Sequence, residues 1–241
     1  VRQLDDEAVV LRSYPLGEAD RILVFLTANH GKVRAVAKGV RRAKSKFGGR
    51  LEISNRVHVN LYRGAKELGV VQQADLLDGH PTIRTDLDRL TGAMAVLEVT
   101  DQLAQNDLPD PRLYQMLVGC LESYDDPSMV PTLIGPAFFF KALVADGMGP
   151  EIEVCARCGN AGPLVAFALL EGGLLCDGCR RGRSVSIDAV HLLQRMLGGH
   201  LRSVLHEPDS LAGSEVAALA AEAIEGALDR RLKTLRSTTN F

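Results

Sequence analysis

Four of the chain's five cysteines fall into two C-x-x-C brackets, Cys155-Ala-Arg-Cys158 and Cys176-Asp-Gly-Cys179, with seventeen residues between them. Three chemistries use such brackets: disulfide staples, a dithiol redox centre, or a metal site. At 241 residues the chain can bury a sizeable core without staples. It reads as a soluble cytoplasmic protein, whose reducing surroundings disfavour structural disulfides. A redox dithiol needs only one bracket and usually sits at a strand-to-helix turn of a βαβ unit, a pattern this sequence lacks. Two brackets about 15 to 20 residues apart match a four-thiolate zinc site.

The expectation is therefore one zinc ion held by Cys155, Cys158, Cys176 and Cys179. With all four positions filled by sulfur there is no place for an activated water, so the metal is structural rather than catalytic. The stretch between the brackets can run as a hairpin turning at Glu171-Gly172-Gly173. Gly159 and Gly178 suit the tight turns of the brackets, and Arg157, Arg180 and Arg181 can soften the charge of the thiolates. Residues 151–183 thus read as a zinc-ribbon-like insertion.

The formal net charge is −2, but it is unevenly spread. Residues 1–80 hold 14 Lys and Arg against 9 Asp and Glu, giving +5, while residues 81–241 hold 14 against 21, giving −7. Such asymmetry points to an acidic partner for the amino-terminal part alone. The longest uncharged stretch, Pro127 to Phe140, contains three prolines and is too short and broken for a membrane span.

From Glu7 to about Leu77 the pattern is short β-branched runs separated by turn residues, five strands with no helical period. In "RVHVNLYR", Val57, Val59 and Leu61 share one face. A small antiparallel barrel or sandwich follows, and an oligonucleotide-binding (OB) type barrel has this strand count and size. After Pro81 the period becomes helical. Thr85 is the expected N-cap of a first helix with Leu87, Leu90, Met94 and Leu97 as its apolar stripe. Asp110 and Pro111 open a second helix, with Cys120 in its core face, and a third covers "AFFFKALVAD". Ser186 and Ser214 are the expected caps of the last two, the final one running on through "DRRLKTL". The fold class is α+β: a five-stranded barrel over 1–80, then a helical bundle over 81–241 interrupted by the cysteine insertion.

"GKVRAVAKGVRRAKSKFGGRL", residues 31–51, carries eight cations and no acid. A charge run is often only a solvated face, yet this one holds eight of the basic part's fourteen cations and fits a polyanion track. Glycines let its backbone follow a ligand, and Phe47 offers a stacking face for a base. No phosphate-cradling loop, dinucleotide fingerprint, zinc-protease helix or nucleophile elbow occurs. The histidines are scattered, and His191 reads as ordinary packing. The sequence therefore predicts a protein that is not an enzyme.

The segment "EAVVLRSYPLGEADRILVFLTANHGKVRAVAKGVRRAKSKFGGRLE" resembles the opening of the RecO family of bacterial recombination mediators, and the resemblance spans the chain. It implies an OB-type barrel that binds single- and double-stranded DNA and anneals complementary strands. It also implies joint action with RecR in helping RecA replace single-strand-binding protein, in the cytoplasm at the nucleoid. Carried onto this sequence, the DNA-binding candidates are Lys38, Arg41, Arg42, Lys44, Lys46 and Arg50. The acidic half becomes the protein-docking side, with "RRGR" or "DRRLKTLR" as candidate contacts for the acidic tail of single-strand-binding protein. Two other classes stay open. A metal-dependent nucleic-acid enzyme would show turnover lost with zinc, and a zinc-containing interaction scaffold would show no salt-sensitive DNA affinity.

Overall fold

The computed structural model describes residues 2–64 and 68–236. Among them are five strands that close a barrel: β1 (Arg2–Leu16), β2 (Asp20–Thr27), β3 (Gly31–Ala37), β4 (Arg56–Arg63) and β5 (Gly69–Asp78). The order around the barrel is β1-β2-β3-β5-β4. All pairs are antiparallel except β3 with β5, which meet in parallel over Ala35–Val36 and Gly69–Val70. Strand β1 serves both neighbours because it is long and its register shifts between Val10 and Arg12, a bulge that bends it around the barrel. The expected alternation holds: Val57, Val59 and Leu61 are fully buried and join Leu4, Ala8, Val10, Leu23, Phe25, Val33 and Ala35 in the core.

By its contacts the chain divides into two compact units. The first unit comprises residues 1–85 and 97–125, so the barrel takes helical partners. These are α1 (Pro81–Thr85), the end of α2 (Leu87–Leu103) and α3 (Pro111–Asp125). Asp101 of α2 pairs with Arg12 at 2.7 Å and Lys32 at 3.4 Å. Residues 105–107 extend the free edge of β3, since Lys32 donates its backbone N–H to Gln105 O and its carbonyl accepts from Asp107. Gly31 is required here: its φ is +70°, and a Cβ would lie 2.2 Å from Leu108 O. Asp110 caps α3 through Leu113 N–H, Pro111 opens it, and Cys120 is buried on its inner face, as expected.

The second unit comprises residues 86–96 and 126 onward. In it, α4 (Ile134–Ala145), α5 (Ile187–Leu197), α6 (Leu201–Val204), α7 (Leu211–Ala227) and α8 (Lys233–Arg236) accompany a three-stranded sheet, β7-β6-β8. Its strands are β6 (Leu164–Ala168), β7 (Gly173–Cys176) and β8 (Arg183–Ser184). The insertion is thus a small sheet framed by helices.

Several helix starts differ from expectation. Asp86, not Thr85, caps α2: its carboxylate accepts Arg89 N–H at 3.0 Å, while Thr85 ends α1 with its hydroxyl on Thr82 O. Leu87 and Leu90 are exposed, and the buried apolar residues are Ala93, Ala95, Val96, Leu97 and Val99. Ser186 caps α5 as expected, but Ser210 replaces Ser214 at the start of α7. That helix stops at Ala227, because Asp229 turns left-handed at φ +47° and Leu232 folds back into the core. His191 is exposed on α5 rather than packed.

Candidate nucleic-acid interface and metal centre

The basic run begins on β3 and continues into the turns of 38–55, which bridge β3 to β4 across one end of the barrel. Phe47 and Leu51 insert beneath this loop into the barrel core, and half-buried Val40 packs against it. Phe47, at 1% exposure, is therefore a plug and not the stacking face expected from its place among cations. Driving its ring inward leaves the cations outside. Lys38, Arg41, Arg42, Lys44, Lys46 and Arg50 are all exposed, and none forms an ion pair with a described residue.

Three of the six are positioned by neutral carbonyls. Arg41 donates to Gly17 O at 3.3 Å, Lys46 to Gln72 O at 2.7 Å and Arg50 to Lys46 O at 2.9 Å. The loop's first turn rests on the β1–β2 hairpin, where Gly39 N–H reaches the Asp20 carboxylate at 2.7 Å and Arg41 N–H reaches Ala19 O. A carbonyl directs a guanidinium or ammonium group without neutralising it, so the loop keeps its full charge.

Strand register adds residues that the basic run alone does not reveal. Tyr14 faces Ile22, Ile22 faces Val36, Val36 faces Val70, and Val70 faces Tyr62. Directly opposed residues share a face, and this row alternates with the core residues Leu23 and Ala35, so it lies outside the barrel. Tyr14 and Tyr62, 42% and 44% exposed, stand at its two ends. The adjacent outer row is Arg12, Val24 and Arg34. Arg12 is paired with Asp101, whereas Arg34 is exposed and forms no ion pair with a described residue. The signal for Tyr62 was legible in "RVHVNLYR", where it falls in the phase opposite to Val57, Val59 and Leu61.

In the second unit, the Sγ atoms of Cys155, Cys158, Cys176 and Cys179 lie within 4.8 Å of one another. Cys158 and Cys176 Sγ are 3.7 Å apart. A tetrahedral centre with metal–sulfur bonds of about 2.3 Å separates its sulfurs by about 3.8 Å, so this set fits one ion. None of the five cysteines is in a disulfide. The first bracket is a turn closed by Gly159 N–H on Cys155 O, with Gly159 at φ +72°. The second follows β7 as a 3-10 turn, and Gly178 needs no left-handed backbone there. The hairpin between them turns at 169–173 as expected, and Gly173 lets β7 approach residue 151, where a Cβ would lie 2.2 Å from Glu151 O.

The thiols do not ionise alike. The Cys176 backbone N–H, foremost among several donors, lowers Cys155 to about 6. The Cys158 side chain, then burial, push Cys179 up to about 12, and burial raises Cys176. One thiolate is stabilised and its neighbours resist a second charge, the behaviour of converging sulfurs that need a cation. Arg180 and Arg181 are engaged elsewhere. Arg181 pairs with Glu171 at 3.7 Å, Arg180 donates to Ser184 Oγ, and Arg183 pairs with Glu222 at 3.1 Å. The "RRGR" candidates for an acidic tail are accordingly tied to partners within the insertion and α7. Of the "DRRLKTLR" group, Leu232 is buried and Arg230 and Lys233 are engaged.

Family models decide the kinship. The model "Recombination protein O N terminal" matches residues 1–80, and "Recombination protein O C terminal" matches residues 84–236. The chain belongs to the RecO family. The "DNA repair protein RecO" of Frankia casuarinae is 40% identical over 234 residues, covering 95% of this chain and 96% of that protein. The closed barrel, the helices and the clustered cysteines agree with the resemblance read from the opening segment. No helix among the described residues is long and apolar enough to cross a membrane.

Proposed function

We propose that this protein is a recombination mediator of DNA repair that binds single- and double-stranded DNA, anneals complementary strands and, with RecR, helps load RecA onto DNA coated by single-strand-binding protein. The observation that carries the reading is the barrel-end loop, where six exposed cations stand over a buried apolar plug with no ion-paired carboxylate among the described residues. Two phosphate backbones repel each other, and a surface that screens both lowers the barrier to pairing. Tyr14 and Tyr62 add stacking faces for unpaired bases, and Arg34 extends the charge along the outer strands. The acidic helical half is the protein-docking side.

In this reading the four cysteines hold one structural zinc ion, which folds an insertion too small to hold itself. The protein acts without chemical turnover, in the cytoplasm at the nucleoid. Annealing of complementary fluorophore-labelled strands tests the proposal. The intact protein should accelerate pairing, and a variant with Arg41, Arg42, Lys44 and Lys46 changed to alanine should lose most of that acceleration. Equal rates with and without the intact protein would contradict it, and strand cleavage abolished by chelation would favour a metal-dependent enzyme instead.

A further inference from the structure

The loop's far end is held by a neutral, buried side chain. Asn55, 1% exposed, follows the last turn of the loop and precedes β4. Its amide Nδ2 donates to two loop carbonyls at once, Gly49 O and Arg50 O, each at 2.9 Å. Its Oδ1 accepts a hydrogen bond from Arg84 of α1. The backbone of Asn55 is also used: its carbonyl accepts Val10 N–H at 3.0 Å from the bulge of β1. One buried side chain therefore joins the end of the basic loop to a helix, while its own backbone is tied to the barrel wall.

The neighbouring residue shows how tightly this point is determined. Ser54 has φ +71°, a left-handed conformation unfavourable for a residue with a Cβ. It is held there by Val10 O, which accepts its N–H, and by the buried His80, whose Nδ1 lies 2.9 Å from Ser54 O. His80 is itself left-handed, at φ +45°. Two strained residues tied to each other persist only where the surroundings over-determine them, and both lie beside the Asn55 bonds.

We infer that Asn55, assisted by Arg84, is a positioning residue for nucleic-acid capture: it clamps the loop's Gly49–Arg50 turn so that Lys46, Arg50 and their neighbours meet the phosphate backbone already ordered. The inference rests on the reading of the loop as a DNA track and adds how the track is kept rigid. A flexible loop with the same cations would release the same counterions but would lose conformational freedom on binding. Preorganisation and charge therefore have separable signatures. Removing charge lowers the salt dependence of binding, whereas loosening the loop lowers affinity at every salt concentration and leaves the slope nearly unchanged.

The test uses the full chain, labelled single-stranded DNA, and the variants Asn55→Ala and Arg84→Met beside the four-alanine loop variant. Asn55→Ala should weaken binding about tenfold with a salt slope within about one of the intact protein's. Arg84→Met, at an exposed position, should weaken it about threefold with the slope again nearly unchanged, and a threefold loss with a shallower slope would instead make Arg84 a phosphate contact and overturn its part in the clamp. Without DNA, trypsin should cut after Lys46 and Arg50 at least about tenfold faster in Asn55→Ala, with unchanged cutting elsewhere. Native-like circular dichroism at the assay temperature separates a loosened loop from a lost fold. If Asn55→Ala unfolds, Arg84→Met decides, through faster trypsin cutting after Lys46 and Arg50 together with an unchanged salt slope. Unchanged affinity and unchanged loop proteolysis in the folded variants would overturn the inference. If the intact protein lacked salt-sensitive affinity, the DNA-track reading itself would fail, and the proteolysis result would still report whether the clamp exists.

Discussion

The ammonium of Lys46 lies 4.9 Å from the centre of the Phe47 ring, with the ring buried in the barrel and the cation outside it. The two neighbours divide the loop's work: Phe47 anchors and Lys46 presents charge. Phe47→Ala should therefore destabilise the protein by about 3–5 kcal/mol, the range for removing a fully buried aromatic ring. Denaturant unfolding followed by circular dichroism measures this. A loss of DNA affinity without loss of stability would instead mean that the ring stacks on a base.

Tyr14 and Tyr62 make the opposite case. Both are more than one-third exposed at the ends of an outer apolar row, so alanine at either position should leave stability within about 0.5 kcal/mol. Binding of single-stranded DNA should fall by about 1–3 kcal/mol for each ring that stacks, with the salt slope unchanged because no phosphate contact is removed. Fluorescence quenching of the tyrosines on titration with an oligonucleotide gives a second readout. Wild-type affinity in the double variant would remove the outer row from the interface.

The cysteine cluster predicts about one zinc per chain by elemental analysis of protein prepared without chelator. Cys158→Ser or extraction with a strong chelator should unfold the insertion, lowering β-sheet signal and exposing it to protease. Thiols must lose protons to bind, so retained zinc should decrease as pH falls, most steeply where the sulfurs regain their protons. Full retention of native structure by metal-free protein would contradict a structural role.

Glu151 supplies a separate pH dependence. Its carboxylate accepts the backbone N–H of Glu153 at 2.9 Å and that of Val154 at 3.4 Å, and these bonds, the former foremost, lower its pKa from 4.5. A depressed folded pKa contributes stability that is fully present above the ordinary carboxylate pKa and is lost as pH falls through the folded value. The stability difference between the intact protein and Glu151→Gln should thus be present at pH 7 and shrink below about pH 4. A difference that grows on acidification would have the wrong sign.

Much of this architecture was legible from local pattern. The barrel strands alternate, the brackets have metal spacing, and Asp110, Pro111 and Ser186 sit where caps belong, because those signals depend on near neighbours in sequence. Misreadings arose where a distant partner decides. Phe47 reads as a solvent-facing aromatic among cations, yet the open barrel end draws it inward. Thr85 and Asp86 are both competent caps, and the choice rests on α1 ending at Thr85. The outer row from Tyr14 to Tyr62 requires the register of all five strands. Asn55 carries no motif, and its significance appears only when Gly49, Arg50 and Arg84 are seen around it.

In the proposed function the barrel-end cations form the phosphate track. Fluorescence anisotropy of labelled single-stranded DNA across a salt series, comparing the intact protein with the variant carrying alanine at Arg41, Arg42, Lys44 and Lys46, separates such a track from a DNA surface elsewhere. Binding by the intact protein should weaken steeply with salt, and the variant should bind more weakly with a slope shallower by up to about four, roughly one per lost contact. Identical curves for the two proteins, or no measurable affinity for either, would contradict it.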